Sequence, residues 1–182
     1  MKLFKFYLGA LLLLNLSCAS TQEVMFDYNL DVDFNQYSTF VLCIDDLFVE
    51  YTSQPNYDNK TIRNYLADAV EYEMKKREHR TNVLNPELQV GFTITLTENT
   101  VSFVDCEEGN ALGYWKECKI EERNYLEETL ITYVSDYKTN EIIWQASIEC
   151  SLNKPKKALK EHIDELVKQL FKTYPKSEKR IF

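Results

Sequence analysis

The clearest pattern in the chain is a strict alternation over residues 88–97. Leu88, Val90, Phe92, Ile94 and Leu96 point one way, and Gln89, Gly91, Thr93, Thr95 and Thr97 point the other. Such alternation describes a strand with one buried and one wet face, which favours a largely antiparallel sheet. Residues 39–44, TFVLCI, form a second strand rich in aromatic and branched residues, and residues 24–30 a shorter one. Residues 101–104 follow Glu98 and Asn99 as a return strand, before a long acidic loop over residues 110–122. Residues 129–135 and 141–149 flank the polar connection DYKTN and read as a hairpin.

Two segments carry helical spacing instead. In residues 60–78, Ile62, Tyr65, Leu66, Ala69, Val70 and Met74 make one apolar stripe, with Asp58 or Asn59 as the cap. In residues 156–173, after Pro155, the stripe is Leu159, Ile163, Leu166, Val167, Leu170 and Phe171. Residues 45–59 read as a loop. Two one-sided helices and a one-sided sheet cover each other. The expected fold is α+β: a two-layer sandwich, mainly antiparallel, with both helices on one face. In that frame Cys43 lies on the minor face with Val41, and Cys150 continues the major face of Ile142, Trp144, Ala146 and Ile148.

The first residues break this pattern. Lys2 and Lys5 precede an apolar block ending at Leu14, too short for a bilayer span of about 20 apolar residues. This is a secretory signal peptide over residues 1–17. Ser17 directly before Cys18 resembles the lipobox of bacterial lipoproteins, although Asn15 and Leu16 stand where that pattern prefers Leu and a small residue. Cys18 is therefore the expected acylated N-terminus, with a plain cleaved signal or a retained anchor as the other readings. Residues 18–23 make a tether and residues 24–182 one domain. The resulting address is the outer membrane, lipid-anchored and facing the periplasm, since Ala19 to Glu23 lack a run of acids resembling a surface-export tag.

Removing residues 1–17 takes away two lysines and no acids, so the net charge moves from −8 to −10. An acidic chain of this kind argues against nucleic acid and anionic lipid headgroups as partners. Besides Cys18, the four cysteines Cys43, Cys106, Cys118 and Cys150 could form two disulfides in three pairings; Cys106 and Cys118, which bracket a polar loop, are the favoured pair, worth roughly 3 kcal/mol by loop closure. Cys43 and Cys150 read as buried free thiols. There is no CxxC spacing for a metal, and no cofactor motif. His79 and His162 sit among charges and read as solvated. Asp105, Glu107, Glu108, Glu117, Glu121 and Glu122 form a solvated acidic cluster without the spacing of a calcium loop.

Several stretches resemble a family of predicted bacterial lipoproteins known only as a domain of unknown function. They are DFNQYSTFVL (33–42), PELQVGFTI (86–94), TLITYVSDYKTNEIIWQASI (129–148) and TYP (173–175). Together they run through nearly the whole mature chain. Glu128-Thr129 stands where the family often has Gly-Thr, and MKKREHR lacks the family's glycine after the first helix. The resemblance implies an envelope lipoprotein and supplies no catalytic residues; its Asp, Tyr and Trp positions look structural.

Three functional expectations follow. The first is a non-enzymatic interaction or assembly module held to the membrane by acyl chains, with an envelope protein as partner. The second is a module binding a small molecule, lipid or glycan, and the third a hydrolase without a recognisable motif. The candidate binding surfaces are Tyr114 and Trp115 in the long loop, and the wet face of Thr93, Thr95, Thr97, Gln145, Ser147 and Glu149.

Overall fold

A computed structural model describes residues 23–48, 54–107 and 117–176. Cys18, the signal segment and the loop carrying Tyr114 and Trp115 lie outside the described residues. The elements are β1 (Val24–Tyr28), a 3-10 turn (Phe34–Gln36), β2 (Thr39–Leu42), α1 (Ile44–Leu47) and α2 (Lys60–Lys76). They continue with β3 (Arg80–Thr81), β4 (Leu88–Glu107), β5 (Glu117–Asp136), β6 (Ile142–Cys150) and α3 (Lys156–Phe171). The six strands form one sheet in the order β1-β6-β5-β4-β2-β3. The pairs β1–β6, β6–β5 and β5–β4 are antiparallel, while β2 runs parallel to both β3 and β4. The fold is the expected α+β sandwich, with a parallel edge made by the β2–α1–α2 crossover.

The alternation in β4 decides which face is covered. Leu88, Val90 and Phe92 join Leu130, Val134, Trp144, Ala146 and Ile148 in one core. The stripes of α2 and α3 close over it, with Ile62, Leu66, Val70 and Met74 meeting Ile163, Leu166, Val167, Leu170 and Phe171. Asn59 caps α2 by accepting from the N–H groups of Thr61 (3.0 Å) and Ile62 (3.1 Å). Asp58 instead grips Arg63 through two bonds of 2.6 and 2.7 Å.

Helix α2 ends where Glu78 adopts φ 65°, the left-handed position usually held by glycine. The His79 N–H reaches the Met74 carbonyl (3.2 Å) and the Glu78 N–H that of Lys75 (3.0 Å), the paired bonds of a Schellman ending. A turn that glycine usually makes is thus made here with glutamate.

Four expectations need correction. Residues 45–59 are not all loop, because α1 begins at Ile44. Strand β4 does not turn back at Glu98 and Asn99; it runs unbroken to Glu107, and β5 starts at Glu117, within the segment expected to be loop. Ile142 is not on the core face, since a register shift between Val134 and Ser135 leaves Ile143 buried and Ile142 half exposed. His79 is not solvated but only 1% exposed, and His162 is half-buried.

Candidate functional site

The quoted motifs converge at one end of the sandwich. Glu87, just before β4, accepts four hydrogen bonds on one carboxylate oxygen: from the backbone N–H groups of Ser38 (2.7 Å) and Thr39 (2.9 Å) and from both hydroxyls (3.1 and 3.0 Å). These bonds hold its carboxyl down at about pKa 2, the Ser38 N–H contributing most. Tyr37 donates to Asp136 (2.8 Å), and burial together with that carboxylate pushes its hydroxyl up to about 12. Asp136 also caps the β5–β6 turn through the N–H groups of Lys138 (2.8 Å) and Thr139 (3.0 Å). Lys176 donates to the Tyr37 carbonyl at 2.9 Å.

Beneath these groups lies an aromatic cluster. Tyr174 meets Phe34 and Trp144 edge-on at 5.4 and 5.2 Å, and the Trp144 indole donates to Thr173 (3.3 Å). His79 joins from the α2 side, its Nε2 3.3 Å from the Tyr174 hydroxyl. Burial, then the charges of Lys176 and Arg77, lowers its pKa to about 4. Arg77 is fully buried, bonded to Glu73 and to the Phe171 carbonyl (2.6 Å), and so clamps the end of α2 to the end of α3. The motif residues form a clasp whose polar heads bind one another. That arrangement fixes the fold's end and matches the structural role the resemblance implied.

A second network lies on the other face. Asp46 of α1 accepts from the Phe92 N–H (3.0 Å) and from the Tyr133 hydroxyl (2.8 Å). Gly91 lies beneath them, and any Cβ there would collide with the Asp46 carboxylate and the Tyr133 ring. Cys43 is a buried free thiol beside Tyr133, on the minor face as expected. Cys150 is also free, and burial pushes its thiol up to about 12, far from the range of a nucleophile. The register aligns Thr93 with Ile131 and Ser147, and Thr95 with Thr129 and Glu149, so the wet face does gather as expected. Open grooves beside Met25 run along it. Another open groove, lined by Tyr72, Glu73, Lys160, Asp164 and Lys168, runs along the outer faces of α2 and α3. Between sheet and helices the apolar side chains of both layers form one buried cluster.

The feature that sequence reasoning missed is an arm. Beyond Leu96 and Glu128, the strands β4 and β5 pair only with each other among the described residues, through Glu107↔Glu117. Eleven residue pairs make a ribbon about 35 Å long. Its surface exposes Val101, Phe103, Val104, Ile120 and Tyr125. The Arg123 guanidinium lies over the Phe103 ring at 5.4 Å and also meets Glu121 at 3.2 Å. At the arm's base Glu128 turns into the core and accepts the Leu152 N–H at 2.6 Å, a bond that a glycine there could not make. Val24 pairs with Ile148 and Ile148 with Leu130, so the chain enters the sheet at the same end from which the arm leaves.

The architecture defines a class: a mixed six-stranded sheet, covered on one face by two helices, that extends its two longest strands as an arm. The chain belongs to the family described as a domain of unknown function, DUF4136, which it matches over residues 24–176. It is similar in fold to a PDZ domain protein from Parabacteroides distasonis, with a TM-score of 0.53 at 13% identity. That match covers 87% of this chain and 36% of the other, so this chain spans about a third of that protein's length. A DUF4136 family protein from Bacteroides thetaiotaomicron matches at 14% identity and a TM-score of 0.49, over 85% of this chain and 96% of the other. No curated protein matches the chain.

Proposed function

We propose that this protein is a lipid-anchored envelope protein that acts by binding a partner protein rather than by catalysis, with the arm of β4 and β5 as its contact surface. The observation that carries the reading is the arm itself. A two-stranded ribbon is marginal in water on its own. This one also holds Phe103, Val104, Ile120 and Tyr125 in solvent and leaves the outer edges of both strands without a further strand among the described residues. Ladder groups and apolar side chains of this kind suit strand addition by a partner.

The anchor supports the same reading. The tether of residues 18–23 reaches at most about 21 Å when extended, and it enters the sheet where the arm departs. A molecule acylated at Cys18 keeps its arm close to the inner leaflet of the outer membrane, so the partner is a membrane-proximal protein.

Two measurements test this. Intact mass of the protein from the membrane fraction shows Cys18 as an acylated N-terminus; an unmodified Cys18 removes the anchor. A photoreactive residue in place of Phe103 or Tyr125, activated in living cells, gives a discrete protein adduct. The adduct disappears when Val104→Ser and Ile120→Ser are added. Irradiation that yields only background adducts sinks the arm as the contact surface.

A further inference from the structure

We propose that Cys106 and Cys118 are joined by a disulfide in the mature protein, which locks the tip of the arm. The ladder between β4 and β5 runs from Leu88↔Asp136 to Glu107↔Glu117 without interruption and sets Cys106 opposite Cys118. The hydrogen bonds at the other end of β4 fix which pairs are which. Phe92 donates its N–H to Asp46, and Val90 accepts from the Cys43 N–H, both on the β2 side. Glu87, by contrast, accepts from the Tyr137 N–H, on the β5 side. The even-numbered residues of β4 therefore turn their peptide groups away from β5. Cys106 is even-numbered and the register never slips, so Cys106 and Cys118 form a non-hydrogen-bonded pair. Opposite α-carbons in such pairs are about 4.5 Å apart and their side chains lie closest, which falls inside the range of about 4.4–6.8 Å that disulfides span.

The position also gives the bond a purpose. Among the described residues it is the last pair but one of a ribbon that no third strand supports, where fraying is easiest. Forming it removes two protons and two electrons from the thiols. A disulfide-bearing thiol oxidant of the envelope takes them up by exchange and becomes a dithiol. The proposal rests on the export reading above, because a reducing compartment would keep both thiols.

The test is differential labelling. Protein from the membrane fraction is unfolded in denaturant with one alkylating reagent, then reduced and treated with a second, and the peptides are mapped by mass. Cys43 and Cys150 are expected to carry the first label, and Cys106 and Cys118 the second. First label on Cys106 and Cys118 overturns the proposal. Cys106→Ser should move Cys118 to the first label; a Cys118 still protected in that variant has another partner and overturns the pairing. A parallel sample separates the two ways of failing. The Cys18→Ser chain, made without residues 1–17 in a reducing cytoplasm, keeps its whole core between Phe34 and Tyr174. It is then equilibrated with a glutathione redox buffer. A link that forms there but not in cells refutes the envelope address and leaves the register standing. A link that forms in neither refutes the register argument itself.

Discussion

At the scale of single residues, two glutamates do work that sequence patterns assign to other residue types. Glu78 holds the left-handed turn after α2 with φ 65°. An L-residue there costs about 1–2 kcal/mol, against roughly 0.5–1 kcal/mol of extra chain entropy that glycine loses on folding. Glu78→Gly should therefore raise stability by about 0.5–1 kcal/mol, read as a higher midpoint in urea with an unchanged slope. Glu87 works the other way, since its charge is what the N–H and hydroxyl groups of Ser38 and Thr39 surround. With the folded pKa near 2 against an ordinary value of 4.5, its stabilisation is complete above pH 4.5 and lost as the pH falls towards 2. Discounted for partial exposure, Glu87→Gln should cost roughly 1–2 kcal/mol at pH 7. The gap to the natural protein should close between pH 4.5 and 2. A gap that stays constant across that window would place the effect in shape rather than charge.

At the scale of elements, β4 is two structures in one strand. Residues 88–96 lie under helices, whereas residues 97–107 belong to the arm. Amide exchange should divide at that boundary. Residues 97–107 and 117–127 should open with much lower free energy than residues 88–96 and 128–135. Equal protection along the whole of β4 would mean that the arm is covered in solution. The same boundary marks the limit of what alternation reveals. Leu88 to Leu96 alternate because one face meets the helices, and that face was read correctly. Past Leu96 there is no core to bury, so Glu98, Thr100 and Ser102 replace the apolar positions, and the segment imitates a turn and a loop. The ladder continues because backbone hydrogen bonds need no apolar partner. Both helices and both stripes were legible from their spacing. The Ile142 bulge was not, because a register shift has no signature when Ile142 and Ile143 are equally apolar. The Cys106–Cys118 disulfide is an expectation from loop closure, to which the register adds that the two residues stand opposite each other.

At the scale of the whole molecule, the clasp ties both ends of the chain's core to a histidine that charge patterning had placed in solvent. His79 lies in KREHR, yet the Schellman turn at Glu78 swings it inward against Tyr174. The groups around it are Arg77 on its own segment, Tyr174 and Lys176 from the chain's end, and Glu87 before β4. Only Glu87 favours a proton on the ring; burial, Lys176 and Arg77 all oppose it. The folded pKa therefore falls to about 4 from an ordinary 6.5. The unfolded chain binds a proton in this range and the folded chain does not, so folding stability is complete above pH 6.5 and declines as the pH drops to 4. The full linkage is roughly 2–3 kcal/mol, a large share of the 5–15 kcal/mol that holds a typical domain. The loss at His79 thus precedes the loss at Glu87, and acid should loosen the clasp in two steps, first where His79 joins α2 to Tyr174, then where Glu87 binds β2. Urea midpoints measured from pH 7 to pH 4 should slope in the natural protein and flatten in His79→Gln, whose amide keeps a hydrogen bond to Tyr174 within reach. If the slope survives in His79→Gln, some other group carries the acid sensitivity of the fold.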